Sequence, residues 1–447
     1  MENKKEHYGL VTATTMIIGI VIGSGIFFKS DDVLKYTGGS IGLGVLVLCI
    51  GAFSIIFGSL TLTELSIRTK KNGGFVGYYE EFISKSTACA FGWFQTFIYY
   101  PSLIAVVAWV SGIYTCSLFG IEGSLENQIA IGTGFMILIY AINILSLKLG
   151  GYFQNLSTVI KLIPLLGIAV FGVFFGSSHP QIPQGTELIT NSRVGFGWLA
   201  ALAPIAFSYD GWIIATSITN EVKKPEKNMP LALVIGPLAV LGVYLLYFVG
   251  ITNLLGTEYI MSTGNDAVNK AGEILLGSNG SKIILIFIII SILGVVNGIT
   301  LGSLRMPQAL ASKNMIPGAG KIAEVNPKYQ LSLRSCLISF LMTLLWMVLH
   351  YLTQKSGIIG SSDVSEIAIV FSYVCYIILY LKVMRMKKEN IIKSSFKGFL
   401  CPVLGITGSV IILIGGIMSN PIYVPIFIFI CLITGGLGYF YYHRKNR

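Results

Sequence analysis

Two short glycine-containing segments hold the residue types with the clearest chemistry. Residues 23–25 (GSG) and 207–211 (FSYDG) each lie midway through an apolar run long enough to cross a bilayer. Unpaired backbone groups are costly in lipid and are tolerated only where they line a cavity or are buried in protein. Paired interruptions in corresponding positions of two halves of a chain indicate the substrate site of a secondary transporter. Alone, the first segment is equally explained as a packing face, because Gly19 and Gly23 have the spacing of small residues between membrane helices.

The backbone groups at these interruptions suit a zwitterion. Glycine lets a ligand approach the backbone, and the helix that begins after the first interruption points its positive end at an anion. We therefore expect a substrate carboxylate to bind the N–H groups of Ser24, Gly25 and Ile26, assisted by the Ser24 hydroxyl. The ammonium group would bind the freed carbonyls, which belong to Ile20, Val21, Phe207, Ser208 and Asp210. This arrangement predicts an α-amino acid substrate.

Lys161 lies inside an apolar run, with apolar residues on both sides. Ionisable residues in spans are rare and are not expected to face lipid. A buried lysine can hold a fixed positive charge in a site or carry a proton, since burial disfavours its charged form. A structural lysine that snorkels to the interface is the alternative. We favour the functional role.

Other side chains near the two interruptions have a structural interpretation as well as a functional one. We expect Asp210 to cap neighbouring backbone amides, with pairing to a cationic substrate side chain as the second interpretation. Phe207 lies at the interruption and suits a lid over a bound substrate. The hydroxyls of Tyr99 and Tyr100 in span 3, and of Tyr244 in span 7, are placed to reach the site. Packing is the more common role for such aromatic residues, and we assign gating to Phe207 and Tyr244.

The elements that position these residues are membrane spans. The chain has 447 residues, of which 54% are hydrophobic and 11% charged, whereas a soluble domain carries about 25% charge. Apolar runs of about 20 residues mark the spans. We place twelve, centred near Val21, Ile55, Val106, Ile139, Leu166, Phe207, Val243, Ile290, Leu344, Phe371, Ile411 and Ile428. The predicted fold is an all-α polytopic membrane protein.

The spans divide into two halves and an appendix. Residues 1–176 hold spans 1–5, residues 177–195 form an extracellular loop, residues 196–390 hold spans 6–10, and residues 391–447 hold spans 11 and 12 with the C-terminus. Five spans per half invert the first half relative to the second. An inverted repeat of this kind permits alternating access by rocking of one bundle against the other.

Basic residues are distributed unevenly over the loops. With both termini in the cytoplasm, 24 of the 31 lysines and arginines lie inside, Lys161 lies within a span and six lie outside, namely Lys29, Lys35, Arg193, Lys270, Lys282 and Lys355. This positive-inside bias agrees with cytoplasmic termini, and we expect a multi-pass protein of the plasma membrane. The net charge of +11 is therefore a topology signal and does not indicate nucleic-acid binding.

Nothing in the sequence calls for a cofactor. The seven cysteines have no paired spacing, the four histidines are scattered, and no Walker-type phosphate loop occurs. A membrane-embedded enzyme would need convergent nucleophilic, acid–base or metal-binding groups. A channel would need a continuous polar pore lining, and the spans contain too few polar residues.

Four motifs give the chain a family resemblance. They are residues 22–27 (IGSGIF), 207–212 (FSYDGW), 73–80 (GGFVGYYE), and 221–225 (EVKKP) with 228–230 (NMP). In combination they resemble the amino acid–polyamine–organocation transporters, and more narrowly the L-type amino acid transporter family with its bacterial serine/threonine and alanine exchangers. The resemblance covers spans 1–10 and implies a LeuT-like 5+5 inverted repeat with discontinuous helices 1 and 6. Residues 71–72 and 303–317 depart from the family pattern, which affects gating rather than substrate class.

The resemblance also implies roles and partners. It places Lys161 beside the first interruption, where sodium-coupled relatives hold a cation, so its ammonium group implies sodium-independent transport. The expected contacts of Lys161 are carbonyls of residues 19–22 and the hydroxyl of Ser291 in span 8. Eukaryotic relatives attach a heavy chain through a cysteine in the span 3–4 loop; here only Cys116, at the span end, is near. We therefore expect an independent transporter that contacts only the lipid bilayer and its substrate.

These observations predict an exchanger of small neutral L-amino acids. A proton-coupled symporter that uses Lys161 is the main alternative. A transporter of cationic amino acids is a further one, because Asp210 could pair with a cationic substrate side chain. A membrane-embedded enzyme is the least supported interpretation. The sequence does not separate exchange from uniport.

Overall fold

The computed structural model describes residues 9–23, 25–69, 74–176, 178–212, 222–359 and 362–445. Ser24, with its predicted hydroxyl and N–H contacts, lies outside these described residues, as do Gly73 and Glu221 of the family motifs. The described chain is helical, as the composition predicts, and includes an isolated bridge between Asn326 and Leu331.

The helices follow one another with short connections. In chain order they are α1 (Leu10–Val21), α2 (Gly25–Tyr36), α3 (Ile41–Ser66), α4 (Gly74–Phe82), α5 (Lys85–Phe94), α6 (Tyr100–Phe119), α7 (Leu125–Leu145), α8 (Leu147–Ile160), α9 (Leu162–Phe175), α10 (Leu202–Ser208), α11 (Pro225–Leu255), α12 (Thr257–Thr263), α13 (Asp266–Ser303), α14 (Met306–Ala311), α15 (Ala319–Ala323), α16 (Leu333–Ser356), α17 (Val364–Lys388), α18 (Cys401–Ser419) and α19 (Tyr423–Lys445). π-Helical turns at Gln95–Tyr99 and Phe396–Leu400 precede α6 and α18, and a 3₁₀ segment, Gly195–Ala201, precedes α10.

Within the described residues, nine helical stretches are long and apolar enough to cross a membrane. Three further apolar helices are shorter: Leu10–Gly19, Leu162–Phe175 and Gly195–Ser208. These three coincide with predicted spans 1, 5 and 6, which contain the two interruptions and Lys161. The two interruptions and Lys161 therefore adjoin the short helices, whereas Tyr244 and Ser291 lie in the long helices α11 and α13.

The first interruption separates α1 from α2. The N–H of Ile22 still donates to Ile18 O at 2.9 Å, but Ile22 itself is extended, with φ −66° and ψ 103°. The next described helix begins at Gly25. The carbonyls of the last turn of α1 are thereby left without intrahelical donors, as at any helix end.

The second interruption follows α10. The N–H of Tyr209 donates to Ile205 O, whereas that of Asp210 donates to Phe207 O at 3.0 Å and tightens the last turn. Gly211 then has φ +92°, a conformation that favours glycine. The Gly at this position lets the chain leave the helix directly after the aspartate.

A third discontinuity lies at Lys161, between α8 and α9. Lys161 keeps helical angles, φ −64° and ψ −24°, but α8 ends at the residue before it and α9 begins at the residue after it. Pro164 has no N–H to donate to the carbonyl of residue 160, which interrupts the hydrogen-bond ladder there.

Small residues hold these discontinuous helices against their neighbours. A Cβ at Gly172 of α9 would collide with the backbone of Gly250 in α11, and a Cβ at Gly236 of α11 would lie 2.7 Å from Ile17 of α1. Close approach at small residues is the usual way in which membrane helices pack. As a result α11 is a common support for α1 and α9.

One of the six cations assigned to the outside is buried in a helix. Lys29 lies in α2 and is only 3% exposed. Its ammonium group is surrounded by carboxylates that come from both ends of the chain. A charge count over loops does not distinguish such a buried lysine from a solvated one.

Candidate functional site

Both interruptions and Lys161 border one internal cavity. Its volume is about 260 Å³, and its walls are formed by Gly19, Val21, Gly23, Gly25, Tyr99, Tyr100, Leu103, Val107, Gln154, Lys161, Phe207, Ser208, Asp210, Gly211, Val295, Gly298, Ile299 and Leu301. Five of these residues are glycines, which leave backbone groups accessible to a ligand. The cavity is otherwise lined mainly by apolar side chains.

Lys161 connects the cavity to the end of α1. Its Nζ donates a hydrogen bond to the carbonyl oxygen of Gly19, and the residue is 4% exposed. Within the described residues no carboxylate lies within ion-pair distance of this ammonium group. The C-terminal end of a helix is its negative end, so α1 itself supplies the compensating charge.

The predicted contact between Lys161 and Ser291 is not formed. Ser157 of α8 packs against Gly294 of α13, which brings Ser291 near the level of Lys161. The Ser291 hydroxyl is nevertheless buried without a hydrogen-bond partner among the described residues, because the lysine side chain extends to Gly19 instead. Ser291 does not border the cavity.

Tyr244 of α11 joins the two interruptions. Its hydroxyl lies 2.7 Å from Ser208 O and 3.2 Å from Val21 O, so its one proton is directed at the ends of both α10 and α1. Val21 and Ser208 are among the carbonyls predicted to bind a substrate ammonium group. Each carbonyl oxygen has two lone pairs, so both can accept a second donor while Tyr244 holds them in place.

Asp210 is partnered by an aromatic hydroxyl. Tyr99 Oη donates to Asp210 Oδ2 at 2.5 Å, and both residues border the cavity. The π-helical turn Gln95–Tyr99 directs Tyr99 to this position, and such turns are frequent at functional sites. The sequence places both residues near the site but does not predict their pairing, because the pair depends on a π turn that has no simple sequence pattern.

Phe207 lies between the cavity and α2. Its ring contacts Phe28 edge to face, with 5.3 Å between centroids, and Lys29 Nζ lies 5.6 Å from its centre. The hydroxyl of Ser208 donates back to Pro204 O at 2.9 Å and so serves its own helix. The side chain of Phe207 therefore lies at the cavity wall against α2, and the Ser208 hydroxyl is engaged within its own helix.

The start of α2 is packed directly on the end of α10. A Cβ at Gly25 would lie 2.7 Å from Ser208 Cα and 3.2 Å from the Phe207 ring, whereas one at Gly23 would make ordinary contacts, 3.4 Å from Val295 and 3.8 Å from Val21 O. Ile26 is buried at 2% exposure and does not line the cavity. Gly25 therefore allows α2 to pack closely against α10, in addition to any role in substrate binding.

Polar residues that the sequence does not single out complete one wall. Gln154 of α8 borders the cavity, and its Oε1 accepts from Asn297 of α13 at 3.1 Å. Asn297 also donates to Gly150 O, and Asn143 of α7 donates to Asn297. The short spacing of Gly150 and Gln154 on one helix face is the only sequence signal for this amide network.

A cavity bounded by helix ends, inside a bundle of apolar helices, is typical of a polytopic membrane transporter. The amino acid permease family matches residues 8–439, and the chain belongs to this family. The serine/threonine exchanger SteT of Bacillus subtilis (strain 168) is 30% identical over 449 residues, which cover 99% of this chain and 98% of that protein. Human b(0,+)-type amino acid transporter 1 is 25% identical and human large neutral amino acids transporter small subunit 2 is 27% identical; each alignment covers 99% of this chain, with 89% and 82% of the relatives.

Membership in this family confirms several predictions. The chain is an amino acid transporter and a multi-pass membrane protein, and it is not an enzyme. The resemblance to L-type amino acid transporters and bacterial exchangers is confirmed as well.

Proposed function

We propose that the protein is a sodium-independent exchanger of small neutral L-amino acids that works by alternating access. The observation that carries the proposal is the single cavity bordered by two helix interruptions and by Lys161. Helix ends of opposite polarity around one cavity suit the two charges of an amino acid backbone.

The substrate carboxylate binds the N–H groups of Gly25 and Ile26 at the start of α2, together with that of the preceding residue, Ser24, which lies outside the described residues. The substrate ammonium group binds carbonyls at the ends of α1 and α10, from Ile20, Val21, Phe207, Ser208 and Asp210. Gly23 and Gly25 at the cavity wall support this assignment. So does Tyr244, which holds two of these carbonyls at fixed positions and thereby couples the two interruptions.

Cavity size and lining favour a small neutral substrate. The volume of about 260 Å³ lies below the usual ligand-pocket range of roughly 300–1,000 Å³. The walls opposite the helix ends are apolar, with Leu103, Val107 and Ile299. Asp210 already accepts from Tyr99, which disfavours a cationic side chain as its regular partner. The similarity to a serine/threonine exchanger agrees with this choice.

Lys161 replaces a coupling cation. Its ammonium group donates to Gly19 O at the negative end of α1, so a positive charge is present there without sodium. The same geometry supports the alternative, proton-coupled symport, because an ammonium group without a carboxylate partner in the described chain is one that can lose its proton.

For the architecture we propose twelve spans in a 5+5 inverted repeat with discontinuous helices 1 and 6. Residues 1–176 and 196–390 form the two repeats, joined by the 177–195 loop, and residues 391–447 add spans 11 and 12. The nine long and three shorter apolar helices support this count. Both termini face the cytoplasm of a plasma membrane, so the α2–α3 connection faces outside. Cys116 is buried, which supports a transporter without a disulfide-linked heavy chain.

The deciding experiment is uptake of labelled amino acids, beginning with L-alanine and L-serine, into sodium-free proteoliposomes. Uptake that requires unlabelled substrate inside the vesicles is the expected result. Uptake into empty vesicles that rises with an inward proton gradient would instead establish symport. No uptake of any amino acid would refute the zwitterion site.

A further inference from the structure

A second buried group of charges lies on the outer side of the cavity. We call Lys29 and Asp32 of α2, with Asp363 and Glu366 of α17, the Lys29 cluster. Lys29 Nζ lies 2.6 Å from Glu366 Oε1, 2.8 Å from Asp363 Oδ2 and 3.5 Å from Asp32 Oδ2. The side chains are 4% exposed for Lys29, 2% for Glu366, 3% for Asp363 and 12% for Asp32.

The Lys29 cluster joins α2 to α17 next to the cavity, and α2 also borders a second, larger cavity that we call the vestibule. The vestibule, of about 900 Å³, is bordered by Asp31, Lys35 and Trp109, among others. On the inner side, Lys29 lies over the rings of Phe28 and Phe207, and Phe207 borders the substrate cavity. Opening the cavity to the outside by moving α2 away from α17 requires these ion pairs to separate.

The carboxylates of the cluster are not equally partnered. Asp363 caps α17: its Oδ1 accepts from the N–H groups of Ser365 and Glu366 and from the Ser365 hydroxyl, while Oδ2 accepts from Lys29. Four donors to one carboxyl group require its ionised form. Glu366 is close to Lys29 but neither of its oxygens has a hydrogen bond of good geometry within the described residues.

The charge balance of the cluster implies a bound proton. One ammonium group faces three carboxyl groups, so full ionisation would leave two uncompensated negative charges in a nearly dry site, which is strongly unfavourable. The groups that face this site are Lys29, Asp31, Asp32, Lys35 and Tyr36 of α2, Asp363 and Glu366 of α17, and His350 of α16.

These neighbours do not supply the missing positive charge. Lys35 is paired with Asp31 at 2.8 Å. His350 is fully buried, packs on Trp109 with 4.6 Å between ring centroids, and has no hydrogen-bond partner on either nitrogen in the described chain. An imidazolium would leave two N–H donors unsatisfied there, so the neutral ring fits better.

We propose that the Lys29 cluster is a proton-binding outer gate, with Glu366 as the group that holds the proton while the gate is closed. When α2 and α17 separate, water enters and Glu366 releases its proton to the outside. When the gate closes, Glu366 takes up a proton from the same side. Because release and uptake occur on one side, the proton regulates exchange without crossing the membrane.

This inference rests on the proposed function and predicts the sign of a pH effect. The closed state binds one more proton than the open state, so a lower external pH favours closure. Exchange measured with the internal pH fixed is expected to slow as the external pH falls, whereas an inward proton gradient does not drive accumulation. Accumulation driven by that gradient would assign the proton to transport and overturn the gate.

Matched variants test the assignment to Glu366. In Glu366→Gln the side chain is always neutral, so the rate is expected to lose its dependence on external pH and to stay near the low-pH rate of the wild type. In Asp32→Asn the dependence is expected to remain. A dependence that persists in Glu366→Gln, or that only Asp32→Asn removes, would overturn the assignment.

Infrared spectroscopy of the purified protein tests the bound proton without transport. The carbonyl stretch of a protonated carboxylic acid is expected in the wild type and absent in Glu366→Gln. Identical spectra would refute the proton site even if exchange is observed. If the wild type shows the band but takes up no amino acid, the proposed function fails and the proton site stands.

Discussion

Lys29 and Lys161 are both almost fully buried, at 3% and 4% exposure, but their charges are balanced differently. Lys29 has three carboxylates within 3.5 Å. Lys161 donates to the carbonyl of Gly19 and has no carboxylate within ion-pair distance among the described residues. One charge is thus balanced by side chains, and the other by the end of a helix.

The difference indicates what each lysine can do. A lysine held by carboxylates from α2 and α17 fixes those helices to each other, and removing either partner leaves a buried charge. A helix end supplies only a partial charge, about half an elementary charge. The positive charge of Lys161 is therefore only partly compensated by the helix end. The rest of the compensation depends on what else occupies the cavity.

Lys29→Met is expected to give the largest loss of stability. It keeps most of the side-chain length but leaves the carboxylates of the cluster without their cation, and breaking a buried pair in this way costs about 3–5 kcal/mol. The measurement is the melting temperature of the detergent-purified protein. Adding Asp32→Asn to Lys29→Met removes one of the stranded carboxylates and is expected to recover part of the loss.

Lys355→Met is the matched control, because Lys355 also pairs with a carboxylate, Glu126 at 3.0 Å, but both side chains are more than half exposed. Exposed pairs contribute about 0–1 kcal/mol, so this variant is expected to melt close to the wild type. Equal losses of melting temperature in the two variants would show that the burial of Lys29 does not increase its contribution to stability.

Lys161→Met is expected to reverse the pattern, with little effect on melting and a large effect on transport. Its partner is one carbonyl at a helix end, so no buried charge is stranded. Exchange is expected to fall by about a hundredfold, equivalent to about 2.7 kcal/mol. Lys161→Arg keeps the charge and is expected to retain more activity than Lys161→Met. Full exchange in Lys161→Met would refute its role.

The contrast also shows which features the sequence can predict. Lys161 and the two interruptions stand out because they break apolar runs, and each can be found within a single span. The Lys29 cluster joins residues 334 positions apart, and in the sequence Lys29 resembles any charge at a span end. The pairing of Tyr99 with Asp210 depends on the rotation of a helix by a π turn. Such long-range geometry follows from packing, which local patterns do not encode.

Alanine substitutions at the two glycines of the first interruption test packing and substrate binding separately. Gly25→Ala places a Cβ 2.7 Å from Ser208 Cα, and overpacking of this kind costs about 1–3 kcal/mol. Gly23→Ala places its Cβ at an ordinary 3.4 Å from Val295, on the cavity wall. We expect Gly25→Ala to lower the melting temperature and Gly23→Ala to melt normally but raise the KM for substrate. An unchanged KM in Gly23→Ala would return this glycine to a packing role.

Tyr99→Phe is expected to have the smallest effect on transport as a whole and the most specific effect on substrate choice. The Tyr99 hydroxyl donates to Asp210 Oδ2, and a hydrogen bond to a charged group contributes about 1.5–3 kcal/mol, less when water or a ligand can replace it. Without that donor the carboxylate in the cavity needs another partner. A cationic side chain can supply it, so uptake of L-lysine relative to L-alanine is expected to rise.

Two controls make this last prediction decisive. Tyr100→Phe removes a neighbouring cavity hydroxyl and is expected to leave the lysine-to-alanine ratio unchanged. Combining Tyr99→Phe with Asp210→Asn removes the carboxylate and is expected to abolish any gain for lysine. A gain that survives the double variant would mean that Tyr99 limits the size of the substrate rather than its charge. In that case the negative charge of Asp210, unlike the positive charge of Lys161, would have no part in selecting what the cavity holds.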